Sequence, residues 1–245
     1  MEFPAFLGYV LLHCLLLNGG LSEPRVQADR WRVQVPGTVS ALQGSCVVVP
    51  CTFTYPGRER KRLTFAGMWL TKDGVFVYHP DAEEVARRFR GRTSLAGDLG
   101  RSDCSLKIDH VQQNDGGPFI FRVVIDGVEK FSYTKSEVSI AVKSHPDVPS
   151  LALGEAVKAG GVVSASCFVH HSCPSNPPVL SWNRAGSHSV HSEKLPGGQW
   201  RTESVLRFAS SPSDHKKPLV CTAKYWGGKT ARSSKPLNIK CKPRS

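Results

Sequence analysis

The sequence predicts an all-β chain, two β-sandwiches in tandem behind a signal peptide. Three observations predict it. From Trp31 onward, short alternating or β-branched runs of four to eight residues follow one another, separated by Gly, Pro, Asp and Asn. No stretch sustains a helical period. The 245 residues allow two domains, and eight cysteines fit a disulfide framework outside the reducing cytosol. With 40% hydrophobic and 21% charged residues, a packed core is within reach and wholesale disorder is excluded.

Residues 1–22 are expected to be the signal peptide. Phe6 to Leu17 form a largely apolar run too short to span a bilayer, and Gly19, Gly20 and Ser22 follow it. Glu2, with no Lys or Arg beside it, departs from the usual signal n-region. Removal takes away Cys14 and Glu2, leaving seven cysteines and a net charge of 32 − 19 = +13. No second long apolar run occurs. The chain as given is therefore expected to be secreted, or to be the extracellular front of a longer, membrane-anchored protein. None of its five asparagines sits in an N-x-Ser/Thr acceptor.

In the first half the strand candidates are Arg32–Val35, Ser45–Pro50, Gly74–Tyr78, Ser105–Ile108, Phe119–Ile125 and Glu137–Val142. The proline-bearing stretch Ser144-His145-Pro146-Asp147-Val148-Pro149 marks a boundary, giving domains at 23–143 and 144–245. The second half repeats the pattern at Val162–Phe168, Val179–Trp182, Ser204–Phe208, Leu219–Tyr225 and Pro236–Lys240.

Cysteine and tryptophan spacing makes the sandwich specific. An immunoglobulin domain carries Cys on strand B, Trp on strand C and Cys on strand F. The second half fits with Cys167, Trp182 and Cys221. The first half has Cys51 and Trp69, but Phe121 stands where the strand-F cysteine belongs, and the nearest partner is Cys104, one strand earlier on E. Strands B and E share a sheet, so such a bond leaves the gap between sheets unbridged for Phe121 to fill. Cys46 and Cys173 remain, and a bond between them would tie the two domains together. A metal site at Cys173 with His170 and His171 is disfavoured, because a secreted protein with pairable cysteines rarely keeps them as thiolates. Cys241 is left odd and is a candidate for intermolecular pairing.

The excess of 32 Lys and Arg over 20 Asp and Glu points to an anionic partner: nucleic acid, a membrane surface or an acidic glycan. The runs Arg58-Glu59-Arg60-Lys61-Arg62 and Arg87-Arg88 are read as solvated faces, and nucleic acid is not expected to meet a secreted chain. No Ser/His/Asp order, carboxylate pair or metal-ligand spacing is present, so an enzyme is not expected, and neither a cofactor nor a metal.

Several stretches carry a family resemblance: Gly-Ser-Cys-Val-Val-Val-Pro-Cys (44–51), Arg-Phe-Arg-Gly-Arg (88–92), Gly-Asp-Leu-Gly (97–100) and the Phe-x-Phe-Arg of strand F. To these are added Gly-Gly-Gln-Trp (197–200) and the Leu-Val-Cys of the second half. Together they resemble the sialic-acid-binding immunoglobulin-like lectins, the Siglecs, from Trp31 to about Lys240. The resemblance implies a variable-type lectin domain followed by a constant-type domain, with disulfides Cys51–Cys104, Cys46–Cys173 and Cys167–Cys221. It implies sialylated glycans of gangliosides or glycoproteins as partners, with a role in cell adhesion.

The chemistry of the candidate site follows from the ligand. Sialic acid carries an ionised carboxylate, and a guanidinium binds a carboxylate with two parallel hydrogen bonds. If Phe119 and Phe121 point inward, Arg122 points outward between Ile120 and Val124. The resemblance assigns Arg122 to the sialate carboxylate and Trp31, on the first strand, to the N-acetyl methyl. Strand G, read from Val128 through Glu129, Lys130, Phe131 and Ser132, is expected to be an exposed edge whose backbone meets the sugar. There the resemblance gives Phe131 and Ser132 the contacts to the glycerol tail, while Val128 stands where an aromatic residue is expected. The short Thr71-Lys72-Asp73-Gly74 loop leaves linkage preference open. An immunoglobulin-type protein-interaction module is the alternative.

Overall fold

The computed structural model describes residues 30–56 and 63–240. The expected signal peptide, the basic run at 58–62 and Cys241 lie outside them.

Among the described residues ten strands precede Ser144: β1 (Arg32–Gln34), β2 (Thr38–Leu42), β3 (Val47–Val49), β4 (Thr52–Thr54), β5 (Phe65–Thr71), β6 (Phe76–Tyr78), β7 (Thr93–Leu95), β8 (Leu106–Ile108), β9 (Phe119–Ile125) and β10 (Glu129–Lys143). Nine follow: β11 (Ser150–Leu153), β12 (Val157–Lys158), β13 (Val162–His171), β14 (Val179–Trp182), β15 (Ser187–Lys194), β16 (Trp200–Ala209), β17 (Pro218–Lys224), β18 (Thr230–Pro236) and β19 (Ile239–Lys240).

The first sandwich faces a five-stranded sheet, β2-β10-β9-β5-β6, against a three-stranded one, β3-β8-β7, with β1 paired to β4 at the rim. Period-two alternation builds the core. On β9, Phe119, Phe121, Val123 and Ile125 are buried, while Arg122 and Val124 are half-exposed. On β5, Gly67, Trp69 and Thr71 point inward. Trp69 is fully buried, donates its indole N–H to the Cys104 carbonyl at 3.0 Å, and lies 5.6 Å from the Phe121 ring. Phe121 also meets Phe53 at 5.4 Å. The Cys51–Cys104 disulfide stays on the β3-β8-β7 side, and aromatic rings fill the gap between the sheets. Each such buried side chain contributes about 1.5–3 kcal/mol.

The Arg-Phe-Arg-Gly-Arg stretch has a structural role. Arg92 forks onto the fully buried Asp115 at 2.8 and 3.1 Å, and the Gln112 N–H donates to the same carboxylate at 2.8 Å. Phe89 is buried beneath the Arg88 guanidinium at 4.7 Å.

The second sandwich faces β11-β13-β16-β15 against β14-β17-β18, four strands and three, the constant-type arrangement. Cys167–Cys221 bridges the two sheets, and Trp182 packs beside it. The strand β15 was not legible in the sequence.

The two sandwiches meet in a built joint. Cys46–Cys173 links residues 127 apart in sequence, and closing a loop of that length stabilises by about 4–5 kcal/mol in the chain-entropy account. Leu42, at the end of β2, packs into the core of the second sandwich. The Val48 N–H donates to the Ser172 carbonyl at 3.0 Å, and Gln199 Nε2 donates to the Ser40 carbonyl at 2.9 Å. Gly198, at φ +78°, lies so close that an added Cβ would sit 2.7 Å from Pro50 Cδ, so the Gly-Gly-Gln-Trp stretch belongs to this joint. His171, beside Cys173, accepts the Cys173 N–H on Nδ1 at 3.3 Å, which leaves Nε2 to donate to Thr202 Oγ1 at 2.9 Å. Burial lowers its pKa to about 4.

Candidate functional site

Alternation places Arg122 on the outer face of the five-stranded sheet. It pairs with Met68 of β5 on one side and Ser132 of β10 on the other. Its Nη1 donates to Ser132 Oγ at 2.8 Å. Among the described residues no carboxylate forms an ion pair with it. The nearby acid Glu137 is engaged elsewhere, with Lys72 at 3.4 Å. A guanidinium carries five N–H donors, so one bond to a hydroxyl leaves a forked pair for an anion.

The other expected residues divide by face. Glu129 and Lys130 are exposed at the start of β10. Phe131 pairs with the inward Val123, so it projects to the side opposite Ser132. There it stacks flat on Trp31, with centroids 4.8 Å apart and planes 4° from parallel. Tyr133 packs edge-on against both rings, at 6.3 Å from Trp31 and 4.9 Å from Phe131. Burial pushes the Tyr133 phenol well above its ordinary pKa, and it donates to the Thr54 carbonyl at 2.9 Å. The antiparallel register of β1 with β4 brings Trp31 to this place.

Two expectations need correction. Trp31 lies one residue before β1, not on it. Val128 lies in the turn after β9, packed against the core, and the strand begins at Glu129, because the turn closes with the Val128 N–H on the Ile125 carbonyl at 3.0 Å. Over Glu129–Ser132 strand G pairs with β9 alone, and only the later Ser139–Lys143 pair in parallel with β2. Between Ser132 and Glu137 the ladder with β9 slips: four residues of β10 face the single residue Phe121. Before this bulge β10 has no partner on the β2 side, because β1 pairs with β4, and a cleft of about 410 Å³ lies there, lined by Trp31, Val33, Phe131, Ser132 and Thr134. Ser132 both walls the cleft and holds Arg122. The reading from sequence missed the bulge and the Trp31–Phe131 stack. Tyr133, one residue past Ser132 in a run read as strand, was the available signal.

No group of three or more His, Cys, Asp or Glu side chains that could hold a metal occurs among the described residues. No helix among them is long and apolar enough to cross a membrane. The arrangement can present one cation, an adjoining hydroxyl and an aromatic wall to an anionic polar ligand.

Residues 34–142 match the immunoglobulin V-set domain. Myeloid cell surface antigen CD33 of Mus musculus is 32% identical over 235 residues, covering 92% of this chain and 55% of that protein. Sialic acid-binding Ig-like lectin 5 of Homo sapiens is 28% identical over 245 residues, covering 96% of this chain and 43% of that protein. Myelin-associated glycoprotein of Homo sapiens is 28% identical over 211 residues, covering 81% and 33%. The chain thus carries a V-set domain and resembles Siglecs, CD33 and myelin-associated glycoprotein over most of its length. It spans about half the length, or less, of these relatives.

Proposed function

We propose that this chain is a sialic-acid-binding lectin of cell recognition and adhesion, in which Arg122 grips the sialate carboxylate. The observation that carries the reading is a guanidinium on an open sheet face, fixed by one hydroxyl and paired with no acid among the described residues. The likeness to relatives named as sialic acid-binding supports it. In this reading the carboxylate takes the fork of Arg122 from the outer face. The N-acetyl and glycerol arms reach over the edge of β10 toward Trp31, Phe131 and Ser132, while backbone groups of Glu129 and Lys130 meet the amide and hydroxyls. We place the lectin domain at 23–143 and the constant-type domain at 144–245. The partners are sialylated glycans of gangliosides or glycoproteins, and the setting is extracellular. No catalytic, metal or cofactor role is assigned, and intermolecular pairing is proposed for Cys241.

The test is binding to a panel of sialylated glycans by wild type and Arg122→Ala. A charge-assisted bidentate contact contributes about 1.5–3 kcal/mol, so the variant is expected to lose roughly 10- to 150-fold in affinity. Single-site affinity for a small sugar is weak, and multivalent display makes it readable. Equal binding by both proteins sinks the assignment.

One observation favours a second reading, a protein-interaction module. Trp31 and Phe131 cover one face of each other, so neither offers that face to a sugar. Attachment to cells that persists after sialidase treatment would select it.

A further inference from the structure

We propose that β15 is a docking edge for a second copy of this chain, which pairs antiparallel with its own counterpart about a two-fold axis through Val190.

A strand edge with unpaired N–H and C=O groups is a template for another strand, and proteins protect such edges with charge, proline, bulges or shortness. Most edges of this molecule are protected. β6 and β7 have three residues each. The free part of β10 is bulged and carries Glu129, Lys130 and Lys135. β18 carries Arg232, Lys235 and Pro236. β15 is different. All eight of its residues are exposed, it runs in unbroken register with β16 from Ser187 to Lys194, and it pairs with no other strand among the described residues. Its first six residues, Ser-His-Ser-Val-His-Ser, include neither proline nor glycine nor any Asp, Glu, Lys or Arg.

The register of the pairing follows from the hydrogen bonds of the neighbouring strand. The Leu195 N–H donates to the Gln199 carbonyl in the same register as the β15–β16 ladder. Alternation then turns Ser187, Ser189, His191 and Glu193 toward β16, and leaves the N–H and C=O of His188, Val190 and Ser192 on the free side. Two copies meeting symmetrically with Val190 on the axis pair His188 with Ser192 of the partner, and Val190 with its own counterpart. That makes about six backbone hydrogen bonds. Val190, a large apolar side chain left 56% exposed, is covered by its twin.

Charge fits the same register. Glu193 of one copy comes opposite Ser187 of the other, beside Arg207, which the ladder pairs with Ser187. The small serine lets the exposed Arg207 guanidinium reach over it. Glu193, already 3.4 Å from Arg201 in its own copy, is thereby flanked by two cations, and no like charges face each other. The result is one eight-stranded sheet shared by two copies. The contact is small, so association in the range of roughly 10–100 μM is expected. Such a pair would display two Arg122 surfaces and raise avidity, but the pairing does not depend on what those surfaces bind.

The experiment is sedimentation of the secreted chain, with Cys241→Ser to remove the odd thiol. Wild type is expected to show a concentration-dependent monomer–dimer equilibrium. Val190→Pro removes only an N–H directed at solvent, so the fold is retained, as circular dichroism checks, while the dimer weakens at least tenfold. Val190→Cys is expected to cross-link to itself under mild oxidation, because directly opposed residues bring their Cα atoms within disulfide reach. Ser189→Cys is displaced by two residues from its twin and is expected not to. A chain that stays monomeric at roughly 100 μM and fails to cross-link at Val190 overturns the proposal. So does a dimer that survives Val190→Pro, which would use another surface.

Discussion

Ser132 offers a sharper test of the site than Arg122, because the sign of the effect separates two accounts. Its Oγ accepts from Arg122 Nη1 at 2.8 Å, while the paired strands hold both backbones in register. In Ser132→Ala that bond is lost and the guanidinium regains rotamer freedom. A hydrogen bond contributes about 0.5–1.5 kcal/mol net, and one that involves a charged group up to about 3 kcal/mol. Arg122 is half-exposed, so water replaces the hydroxyl, and the lower part of the range applies. Affinity for a monovalent sialoside is therefore expected to fall about two- to five-fold, against the 10- to 150-fold of Arg122→Ala. Ser132→Thr keeps a hydroxyl and is expected to restore most of the loss. Titration followed by NMR reads all three. A sialoside lacking the glycerol tail isolates the positioning effect, since a hydroxyl that acts through Arg122 weakens both ligands equally. A gain in affinity for Ser132→Ala would refute the reasoning, because it would mean that the hydroxyl competes with the carboxylate for the same N–H.

Three further predictions concern the frame that carries the site. Asp115→Ala leaves the Arg92 guanidinium, 13% exposed, without its carboxylate and should destabilise the first sandwich by about 3–5 kcal/mol, seen as a lower thermal midpoint; a loss under 1 kcal/mol would contradict it. His171 has a folded pKa of about 4, below its unfolded value near 6.5, so its contribution is complete above pH 6.5 and is lost as pH falls toward 4. Denaturant midpoints of wild type should therefore drop between pH 6.5 and 4.5 more steeply than those of His171→Gln. Gly97→Ala would drive a methyl into the Asp103 carboxylate and to 2.7 Å from its carbonyl, disturbing the acceptor of the Ser105 N–H, and should lower the thermal midpoint measurably while Gly100→Ala does not.

What could be read from the sequence was whatever covalent spacing and period two determine. Cys167, Trp182 and Cys221 announce the second sandwich, and the alternation of Phe119 and Phe121 turns Arg122 outward. β15 escaped because Ser-His-Ser-Val-His-Ser-Glu-Lys has no apolar face. It is a strand because β16 offers it a ladder, a tertiary effect that propensity cannot register. The bulge in β10 escaped for a related reason. Pairing on β9 could be satisfied on either side of Phe121, and nothing local in Tyr133-Thr134-Lys135-Ser136 states that four residues will span one. Yet the pairing on either side of it decides the shape of the candidate site. β2, five residues long, flanks only Ser139–Lys143 of β10, and β1 turns away to pair with β4. β10 thus serves two ends in turn: β2 binds its second half and stabilises the sandwich, while its first half presents Ser132 to Arg122 on one face and Phe131 to Trp31 on the other. The cation is set by a local alternation and the aromatic wall by a long-range register, which is why the first was visible in the chain and the second only in the fold.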